Sequence, residues 1–396
     1  MSGVSSPLVA LRLTPGPALA ASLEEIWARG AAIAPIDPGA SPAMTEALLA
    51  TLRPAAIIDE EGERPLPDAV PVASGTALVV PTSGLAKAAE LSHAALDLAT
   101  RASLSRLGAQ PTDLWLCCLP THHIAGIAVL LRARSLGTPA VIHPRFDPDL
   151  VAAERDVTHV SLVPTMLARL LDADVDLRGF RAVLLGGAPA GPGLLERARE
   201  AGIPVVTTYG MTETCGGCVY DGAPLDGVEV ATDPDGRIRV RGPVLTGYRL
   251  RDDLTRAALD GDWLVTSDLG EWADGRLRIT GRADDVVVSG GENVDTREVA
   301  EVLRGHPDVA DAAAAGRSDP HWGEAVVAFC VARGTVRPSD EDLRDRVRAA
   351  LGRAAAPKTV RWLDAIPRSS LGKVRGDLLM RDDGSPQMHE EHDTDG

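Results

Sequence analysis

The stretch AVLLGGAPAGPGLLERAREAGIPVVTTYGMTET, residues 182–214, decides the fold class of this chain. It opens with an apolar run that ends in two glycines, continues through the helical segment GLLERAREAG, and closes with a second apolar run, IPVVTTYG. Apolar runs of strand length that alternate with helical segments predict a largely parallel sheet in an α/β domain. Ligands of such sheets bind at the carboxyl ends of the strands, which is where LGGAPA and TTYGMTET lie.

The same alternation extends toward the N-terminus and defines the first domain. SLEEIWARG predicts a helix ending at Gly30 before the apolar run AAIAPID, and VVPTSGLAKAAELSHAAL predicts a strand, a loop and a helix. From about Gly227, GVEVATDPDGRIRVRGP and GEWADGRLRITGR predict hairpins with Asp-Gly turns. We therefore expect a large α/β domain, residues 1–281, that is closed by an antiparallel β subdomain.

The remainder of the chain predicts a second, smaller domain. TREVAEVLRGHP and EDLRDRVRAALG have helical patterns, whereas AVVAFCVARG and TVRWLDAIP have strand patterns. We assign residues 282–285 to the connection and residues 286–380 to a small α+β domain. Residues 381–396 are polar and acidic, and we expect a disordered tail there.

Composition limits the partners and the compartment. The 396 residues carry a formal net charge of −16, which argues against nucleic acid and anionic membranes as partners. The sequence shows neither a signal peptide nor an apolar run long enough for membrane insertion. Five cysteines, a low and odd count, favour the cytoplasm. We interpret Cys215 and Cys218 as small residues lining a pocket rather than as zinc ligands.

Lysine is rare in this chain, and its positions are therefore informative. Of the 40 basic residues only Lys87, Lys358 and Lys373 are lysines. A chain that uses arginine for general positive charge keeps a lysine where a compact, flexible point charge is needed. These lysines are therefore candidates for binding anionic groups.

Several short motifs carry groups suited to a nucleotide. Thr82, Ser83, Gly84 and Lys87 offer hydroxyl, amide and ammonium donors for phosphates. The remaining motif residues are Gly186 and Gly187 for close approach of a ring, Tyr209 for stacking, Thr212 for a phosphate, Glu213 for Mg²⁺, Asp268 for ribose hydroxyls and Lys373 in a C-terminal loop. Each motif taken singly also fits an ordinary helix cap or turn.

In their order along the chain, these motifs resemble the adenylate-forming enzymes that include acyl-CoA synthetases. The matching stretches are TSG…K (82–87), LPTHHIAG (119–126), LLGGAPA (184–190), TTYGMTET (207–214), TSDLG (266–270), GRADDVVVSGGENV (281–294) and PRSSLGKVR (367–375). The resemblance implies a reaction in two steps. A carboxylic acid and ATP give an acyl-adenylate and pyrophosphate; the small, mobile domain then rotates, and coenzyme A displaces AMP.

The resemblance also implies roles for individual residues. Lys373, Glu213, Thr212 and Lys87 would be catalytic, with Glu213 also the ligand of Mg²⁺. ATP and CoA would be bound by Thr82, Ser83, Gly84, Gly187, Ala188, Tyr209, Gly210, Met211, Asp268, Arg282, Gly290 and Gly291. The acid would contact His123, Gly126, Gly187 and Gly217, and Asp284 would be the hinge. For His123 a packed core position is an equally good interpretation.

Three questions stay open in the sequence: the acid, the catalytic competence and the oligomeric state. The brevity of the chain, with PTHHIAG and YGMTET, is most similar to the branch of the family that activates o-succinylbenzoate for menaquinone synthesis; short-chain fatty or aryl acids are the alternatives. Arg132 or Arg134 could hold a second carboxylate of the acid. The loop after Gly84 is three residues shorter than the family pattern, which leaves a non-catalytic nucleotide-binding relative as the rival interpretation. A monomer and a homodimer both fit.

Overall fold

The chain forms two compact units, one built from Met1–Gly281 and the other from Arg282–Ser369 with later residues. The computed structural model describes residues 5–82, 87–289, 292–319, 322–369, 372 and 374–379. The tail predicted at 381–396 lies outside the described residues. Each unit is described by itself below.

The helices and strands of the first unit follow each other in a mixed α/β order. In chain order they are β1 (Ser5–Ser6), β2 (Leu8–Arg12), α1 (Pro17–Ala28), β3 (Ala32–Pro35), α2 (Pro42–Leu52), β4 (Ala56–Asp59), β5 (Gly62–Pro65), β6 (Val72–Ala73), β7 (Thr76–Pro81), β8 (Ala88–Ser92), α3 (His93–Leu107), β9 (Trp115–Cys117), α4 (Ile124–Leu136), β10 (Val141–Ile142), α5 (Pro148–Ala153), β11 (His159–Leu162), α6 (Pro164–Asp172), β12 (Ala182–Leu185), α7 (Pro192–Glu200), β13 (Val205–Met211), β14 (Gly216–Tyr220), β15 (Ala223–Pro224), β16 (Glu229–Thr232), β17 (Arg237–Arg241), β18 (Gly247–Tyr248), α8 (Asp252–Ala258), β19 (Leu259–Asp260), β20 (Trp263–Ala273) and β21 (Arg276–Arg282).

The second unit adds a smaller set of elements. They are β22 (Val286–Ser289), β23 (Glu292–Asp295), α9 (Thr296–Arg304), β24 (Val309–Asp319), β25 (Gly323–Ala332), α10 (Asp340–Leu351), β26 (Thr359–Trp362) and α11 (Gly376–Leu379). Its sheet has the order β23-β22-β25-β24, with β26 beside β25, and α9 and α10 bury Val299, Leu303, Leu343 and Val347 against it. This is the α+β arrangement that the alternating patterns predicted.

Two mixed sheets form the body of the first unit. The first sheet has the order β18-β8-β7-β3-β2-β4-β5, and the second has the order β10-β9-β11-β12-β13-β14-β15. Strands β9 to β13 are parallel to each other. Strand β14 pairs antiparallel with β13, and β15 pairs antiparallel with β14. One core cluster contains residues of both sheets and of α1, α3 and α4, because these helices bury apolar faces such as Leu19, Leu23 and Ile26.

A third sheet closes the first unit, as the Asp-Gly hairpin signals predicted. Strands β16, β17, β20 and β19 form it in that order, all antiparallel, with β21 paired to β20. The predicted fold class, a large α/β domain with an antiparallel subdomain and a smaller C-terminal domain, is confirmed. None of the helices in the described part of the chain combines the length and apolar character that crossing a bilayer needs.

The sequence prediction was wrong about the segment after Lys87. Residues Ala88–Ser92 form strand β8, antiparallel to β7, and the helix begins only at His93. The segment pairs as a strand because Ala88, Ala89 and Leu91 are buried in the first sheet, while the Ser92 side chain caps α3 by accepting from Ala95 N. Strand β7 is therefore followed by an antiparallel strand rather than by a helix.

His159 is a fully buried imidazole at the start of β11. Its ring stacks on Trp115 at a centroid distance of 4.7 Å, and Nδ1 lies 2.8 Å from Thr158 Oγ1. Burial lowers the pKa of His159, and the positive charges of Arg181 and Arg132 lower it further, while Asp113 acts in the opposite direction. The folded protein therefore keeps this ring neutral at pH values where the unfolded chain binds a proton.

This burial predicts a loss of stability in mild acid. Below an unfolded-state pKa of about 6.5, protonation of His159 favours the unfolded chain, so the free energy of unfolding falls as pH falls. We expect urea unfolding between about pH 7.5 and pH 5.5 to show a decline that His159→Phe reduces by roughly 1 kcal/mol. Equal pH slopes for the wild type and the variant would contradict this assignment.

Candidate functional site

The predicted motifs of the first unit meet at the carboxyl ends of β12 and β13. Strand β12 ends at Leu185 and leads into Gly186-Gly187-Ala188, while β13 ends at Met211 and leads into a 3₁₀ turn, Thr212–Thr214. The two strands are parallel neighbours, with Leu185 opposite Thr207. The sheet therefore places both motifs at one edge, as expected for a ligand site of this fold class.

Glycine is required where the backbones approach closely at this edge. A Cβ at Gly210 would lie 2.0 Å from Gly216 O, and a Cβ at Gly126 would lie 2.4 Å from Pro120 O. Gly187 has a φ of +80°, in the left-handed region that favours glycine. These predicted site glycines shape the local backbone, so their presence alone does not demonstrate contact with a ligand.

A buried carboxylate, Glu213, forms the polar centre of the site. It is 7% exposed, and its Oε1 accepts a hydrogen bond from the Tyr248 hydroxyl at 2.8 Å. Lys87 Nζ lies 3.4 Å from the same oxygen and 4.9 Å from the centroid of the Tyr248 ring. The structure thus brings the predicted Lys87 and Glu213 together, although 126 residues separate them in sequence.

The Tyr248 hydroxyl is held in its protonated form. Burial raises the pKa of this group, and the negative charge of Glu213 raises it further. The hydroxyl therefore remains a hydrogen-bond donor to the carboxylate near neutral pH. Glu213 Oε2, in contrast, accepts no hydrogen bond from a residue in the described part of the chain, which leaves this oxygen for a ligand.

Sequence reasoning missed Tyr248. A signal was present, because the chain has only three tyrosines and two of them, Tyr209 and Tyr248, lie in this region. The argument that was applied to rare lysines applies equally to rare tyrosines in a chain with 3% aromatic residues. The Gly-Tyr sequence of β18 did not indicate a contact with Glu213, since that contact depends on the pairing of β18 with β8.

A second pair joins two predicted nucleotide-binding residues. The Tyr209 hydroxyl donates to Asp268 Oδ2 at 2.9 Å, and Asp268 is 7% exposed on β20. Burial and the charge of Asp268 both raise the pKa of Tyr209, so this hydroxyl also stays protonated. Tyr209 is three residues before the start of the turn that carries Glu213, so the aromatic ring and both carboxylates lie in one region.

The remaining predicted residues of the first unit lie on the surrounding loops and strands. Thr82 donates from its backbone N to Lys87 O at 3.1 Å and closes the base of the shortened loop, whereas Ser83 and Gly84 lie outside the described residues. His123 is the N-cap residue of α4, half-buried, with its ring 4.3 Å from that of His122. Gly217 is on β14, with Thr208 and Tyr220 as its neighbours.

Cys215 and Cys218 follow the 3₁₀ turn and are buried in the core of the first unit. Both thiols are free, and burial raises the pKa of each to about 12. They are therefore protonated near neutral pH and behave as small apolar residues. Within the described residues no group of three or more His, Cys, Asp and Glu side chains is arranged to hold a metal.

Several predicted residues belong to the second unit or its boundary. Arg282 ends β21, and Asp284 lies in a 3₁₀ turn, Ala283–Asp285. Gly290, Gly291 and Lys373 lie outside the described residues. The roles assigned to these residues, including the hinge at Asp284, stay predictions.

The second unit contains a basic cleft that the sequence analysis did not identify. It encloses about 250 Å³ and is lined by Trp322, Arg344, Arg348, Arg353, Ala356, Pro357 and Lys358. Lys358 Nζ lies 3.9 Å from the centroid of the Trp322 ring. Burial lowers the pKa of Lys358, and the positive charges of Arg353 and Arg348 lower it further. The basic side chains of the lining concentrate positive charge in a protein that is acidic overall.

Comparison with known proteins identifies the family. The AMP-binding enzyme family matches residues 81–257, and the AMP-binding enzyme C-terminal domain matches residues 298–373. The chain is 38% identical over 361 residues to a probable 2-succinylbenzoate–CoA ligase of Mycobacterium tuberculosis, covering 86% of this chain and 90% of the relative. It is 36% identical to the 2-succinylbenzoate–CoA ligase of Bacillus cereus, covering 68% of this chain and 61% of that enzyme.

Solved structures show the same relationship. The o-succinylbenzoate CoA synthetase of Bacillus subtilis in complex with the acyl-adenylate intermediate OSB-AMP superposes with a TM-score of 0.84 at 28% identity. The match covers 95% of this chain and 88% of that chain. Sequence, fold and the polar groups at the ends of β12 and β13 therefore lead to one conclusion: the chain belongs to the family of AMP-binding, adenylate-forming enzymes.

Proposed function

We propose that this protein is an AMP-forming ligase that joins a carboxylic acid to coenzyme A through an acyl-adenylate, with o-succinylbenzoate as the acid. The observation that carries the proposal is the convergence of Lys87, Glu213 and Tyr248 beside the Tyr209–Asp268 pair. The names of the relatives from Mycobacterium tuberculosis and Bacillus cereus support the choice of acid. The chain matches only about three fifths of the latter enzyme's length, 61%.

The nucleotide would lie along the end of β13. Asp268, already an acceptor for the Tyr209 hydroxyl, can accept from ribose hydroxyls, and the Tyr209 ring offers a face for the adenine. The phosphates would extend toward Lys87, Thr82 and Thr212. Gly187, Ala188, Gly210 and Met211 would line the backbone path of the nucleotide.

In the first step an oxygen of the acid's carboxylate attacks the α-phosphorus of ATP. An O–P bond forms, the bond to the leaving pyrophosphate breaks, and the electron pair leaves with pyrophosphate. Such a transfer needs charge neutralisation and alignment more than covalent help. Lys87, whose side chain is 35% exposed next to Glu213, can supply a positive charge to the phosphates.

Mg²⁺ fits the groups that are present. The free Oε2 of buried Glu213 is a hard oxygen donor of the kind that Mg²⁺ prefers, and Mg²⁺ is commonly held by one or two carboxylates with phosphates and water. Bound there, it would neutralise charge on the phosphates. Tyr248 and Lys87 orient the carboxylate through Oε1.

In the second step the thiol of coenzyme A attacks the acyl carbonyl. A C–S bond forms, the C–O bond to AMP breaks, and the thiol proton is lost to solvent. Lys373 would serve the first step only, Arg282 would contact the ribose, Asp284 would be the hinge, and Gly290 and Gly291 would border the pantetheine. The acid would lie near His123, Gly126, Gly187 and Gly217.

The cysteine usage of the chain supports a cytoplasmic location.

The basic cleft of the second unit suits the phosphates of coenzyme A. Arg344 is paired with Asp340 and Glu341, and Arg348 is paired with Glu341 and Asp345. Arg353 makes no ion pair with a described residue. The Trp322 ring adds a flat apolar face beside Lys358. A nucleotide with several phosphate charges matches this combination of cations and an aromatic ring.

The first test of the function is a panel of acids. With ATP, Mg²⁺ and CoA, we expect thioester formation from o-succinylbenzoate with a kcat/KM at least about tenfold above those for benzoate and hexanoate. Measured pyrophosphate release should have the same ranking. A simple monocarboxylate that wins by that margin would replace the proposed acid. ATP binding without pyrophosphate release from any acid would favour the non-catalytic relative.

Glu213 is the residue whose substitution tests the first step. Glu213→Gln removes the carboxylate charge and should lower pyrophosphate release by about two to three orders of magnitude, as loss of a transition-state charge contact does. Conversion of supplied acyl-adenylate to thioester should change little. Glu229→Gln, at an exposed ion pair with Arg241, is the matched control. A normal adenylation rate in Glu213→Gln would refute the assigned role.

The basic cleft can be tested through the dependence on coenzyme A. Lys358→Ala and Arg353→Ala should each raise the KM for CoA by about tenfold, which corresponds to one lost charge-assisted hydrogen bond. Pyrophosphate release from ATP and acid should stay unchanged. Arg317→Ala, on β24 and outside the cleft lining, serves as control. An unchanged KM for CoA in both variants would exclude the cleft as the phosphate site.

A further inference from the structure

Among the residues that the structure describes, a buried guanidinium in the first unit has only neutral partners. Arg132, on α4, is 6% exposed. Its Nε donates to Ser103 Oγ at 2.9 Å, its Nη2 donates to the Tyr220 hydroxyl at 3.1 Å, and its Cζ lies 5.1 Å from the centroid of the Trp115 ring. The charge is held in a defined position but is not neutralised by these groups.

Within the described residues, no carboxylate oxygen lies within 4.0 Å of the Arg132 guanidinium. The nearby Asp113 is engaged by Arg181 at 2.7 Å. Arg249, which is also buried, does have a carboxylate, Glu90, at 3.4 Å. A buried cation without an anion is costly, and proteins rarely retain one without a use for it.

The surroundings of Arg132 are short of negative charge. His159, which stacks on the Trp115 ring, is held neutral by burial, and the charges of Arg181 and Arg132 also oppose its protonation. Ser103 and Tyr220 are bound to each other as well as to Arg132, with 2.7 Å between their oxygens. The guanidinium Nη1 makes no hydrogen bond with a described residue and is available to an anion.

Arg132 is on the helix that begins at the proposed acid site. Helix α4 begins after His123, and Ala128, one turn before Arg132, faces Gly216, with 3.9 Å from its methyl group to a Cβ built on that glycine. One helical turn rises about 5.4 Å, and long helical side chains lean back toward the helix N-terminus. Arg132 Nη2 donates to the Tyr220 hydroxyl, which lies 3.6 Å from a Cβ built on Gly217 of the proposed acid site.

Strand β14 leads to the same place from the other side. The register of β14 with β13 shifts between Gly217 and Val219, and a Cβ built on Gly217 would lie 2.9 Å from Tyr220 Cε1. The Tyr220 ring therefore packs against Gly217, a residue of the proposed acid site, and its hydroxyl accepts a hydrogen bond from the guanidinium. An elongated acid that enters between α4 and β14 would reach Arg132 with its far end.

We propose that Arg132, positioned by Ser103 and Tyr220, binds the second carboxylate of a dicarboxylic acid substrate and so determines the choice of acid. This inference rests on the proposed ligase function, whose acid o-succinylbenzoate has one carboxylate to activate and one that must be neutralised. A charge-assisted contact between guanidinium and carboxylate supplies that neutralisation. Arg134, the other candidate, is paired with Glu24 at 2.5 Å and is half exposed.

The test compares two acids that differ only in the second carboxylate. These are o-succinylbenzoate and 4-oxo-4-phenylbutanoate, which lacks the ring carboxylate. For the dicarboxylate, Arg132→Met should lower kcat/KM for pyrophosphate release by about a hundredfold, as expected for a buried charge-assisted contact. For the monocarboxylate the change should stay within about threefold. Arg134→Met, two residues away on the same helix, should leave both values unchanged.

Further outcomes separate this inference from the function on which it rests. Equal losses for both acids in Arg132→Met would show a structural role and overturn the inference, while the ligase function would stand. A wild-type preference for the monocarboxylate would also overturn the inference and leave the ligase function standing. Absence of pyrophosphate release with every acid would instead refute the ligase function.

A gentler variant covers the case in which Arg132→Met does not fold. Tyr220→Phe keeps the guanidinium but removes one of the groups that position it. It should lower kcat/KM for o-succinylbenzoate by about tenfold and spare 4-oxo-4-phenylbutanoate, since one hydrogen bond donated by the guanidinium is lost. A loss that is equal for the two acids would count against the inference.

Discussion

The bond from the Tyr248 hydroxyl to Glu213 connects the two large sheets of the first unit at the site. Tyr248 is on β18 and Lys87 directly precedes β8, both of the first sheet, whereas Glu213 follows β13 of the second sheet. The backbone supports the same junction, because Leu245 N donates to Glu213 O at 2.8 Å. The polar centre of the site thus depends on the packing of the sheets and on no single local motif.

This dependence explains which parts of the site could be predicted from sequence. Strand–helix alternation around residues 182–214 correctly predicted the sheet and the edge at which its motifs meet, because that pattern is local. The rarity of tyrosine could have drawn attention to Tyr248, but its bond to Glu213 could not be predicted, since β18 is placed only by its pairing with β8. Strand β8 itself was mistaken for the start of a helix, because its alanines are neutral to either structure until the sheet buries them.

The arginines show the same limit. Arg132 and Arg134 are two residues apart in sequence and looked equivalent as candidates for binding a second carboxylate. In the structure one faces Ser103, Tyr220 and Trp115 in the core, while the other forms an ion pair with Glu24 at the surface. A helical turn of 3.6 residues places positions i and i+2 on different faces, so packing alone decides which arginine becomes buried. The family that the motifs predicted was confirmed by comparison with known proteins, whereas the role of each site residue stays a prediction.

The reactivity of the buried thiols reports the local opening of the structure around them. Cys117, Cys118, Cys215 and Cys218 are in the first unit and Cys330 is in the second, and burial raises the pKa of all five to about 12. A protonated, enclosed sulfur does not react with an alkylating reagent, so labelling requires that the surrounding structure first separates. The rate at which each cysteine is alkylated therefore measures how often its part of the chain opens, without any engineered probe.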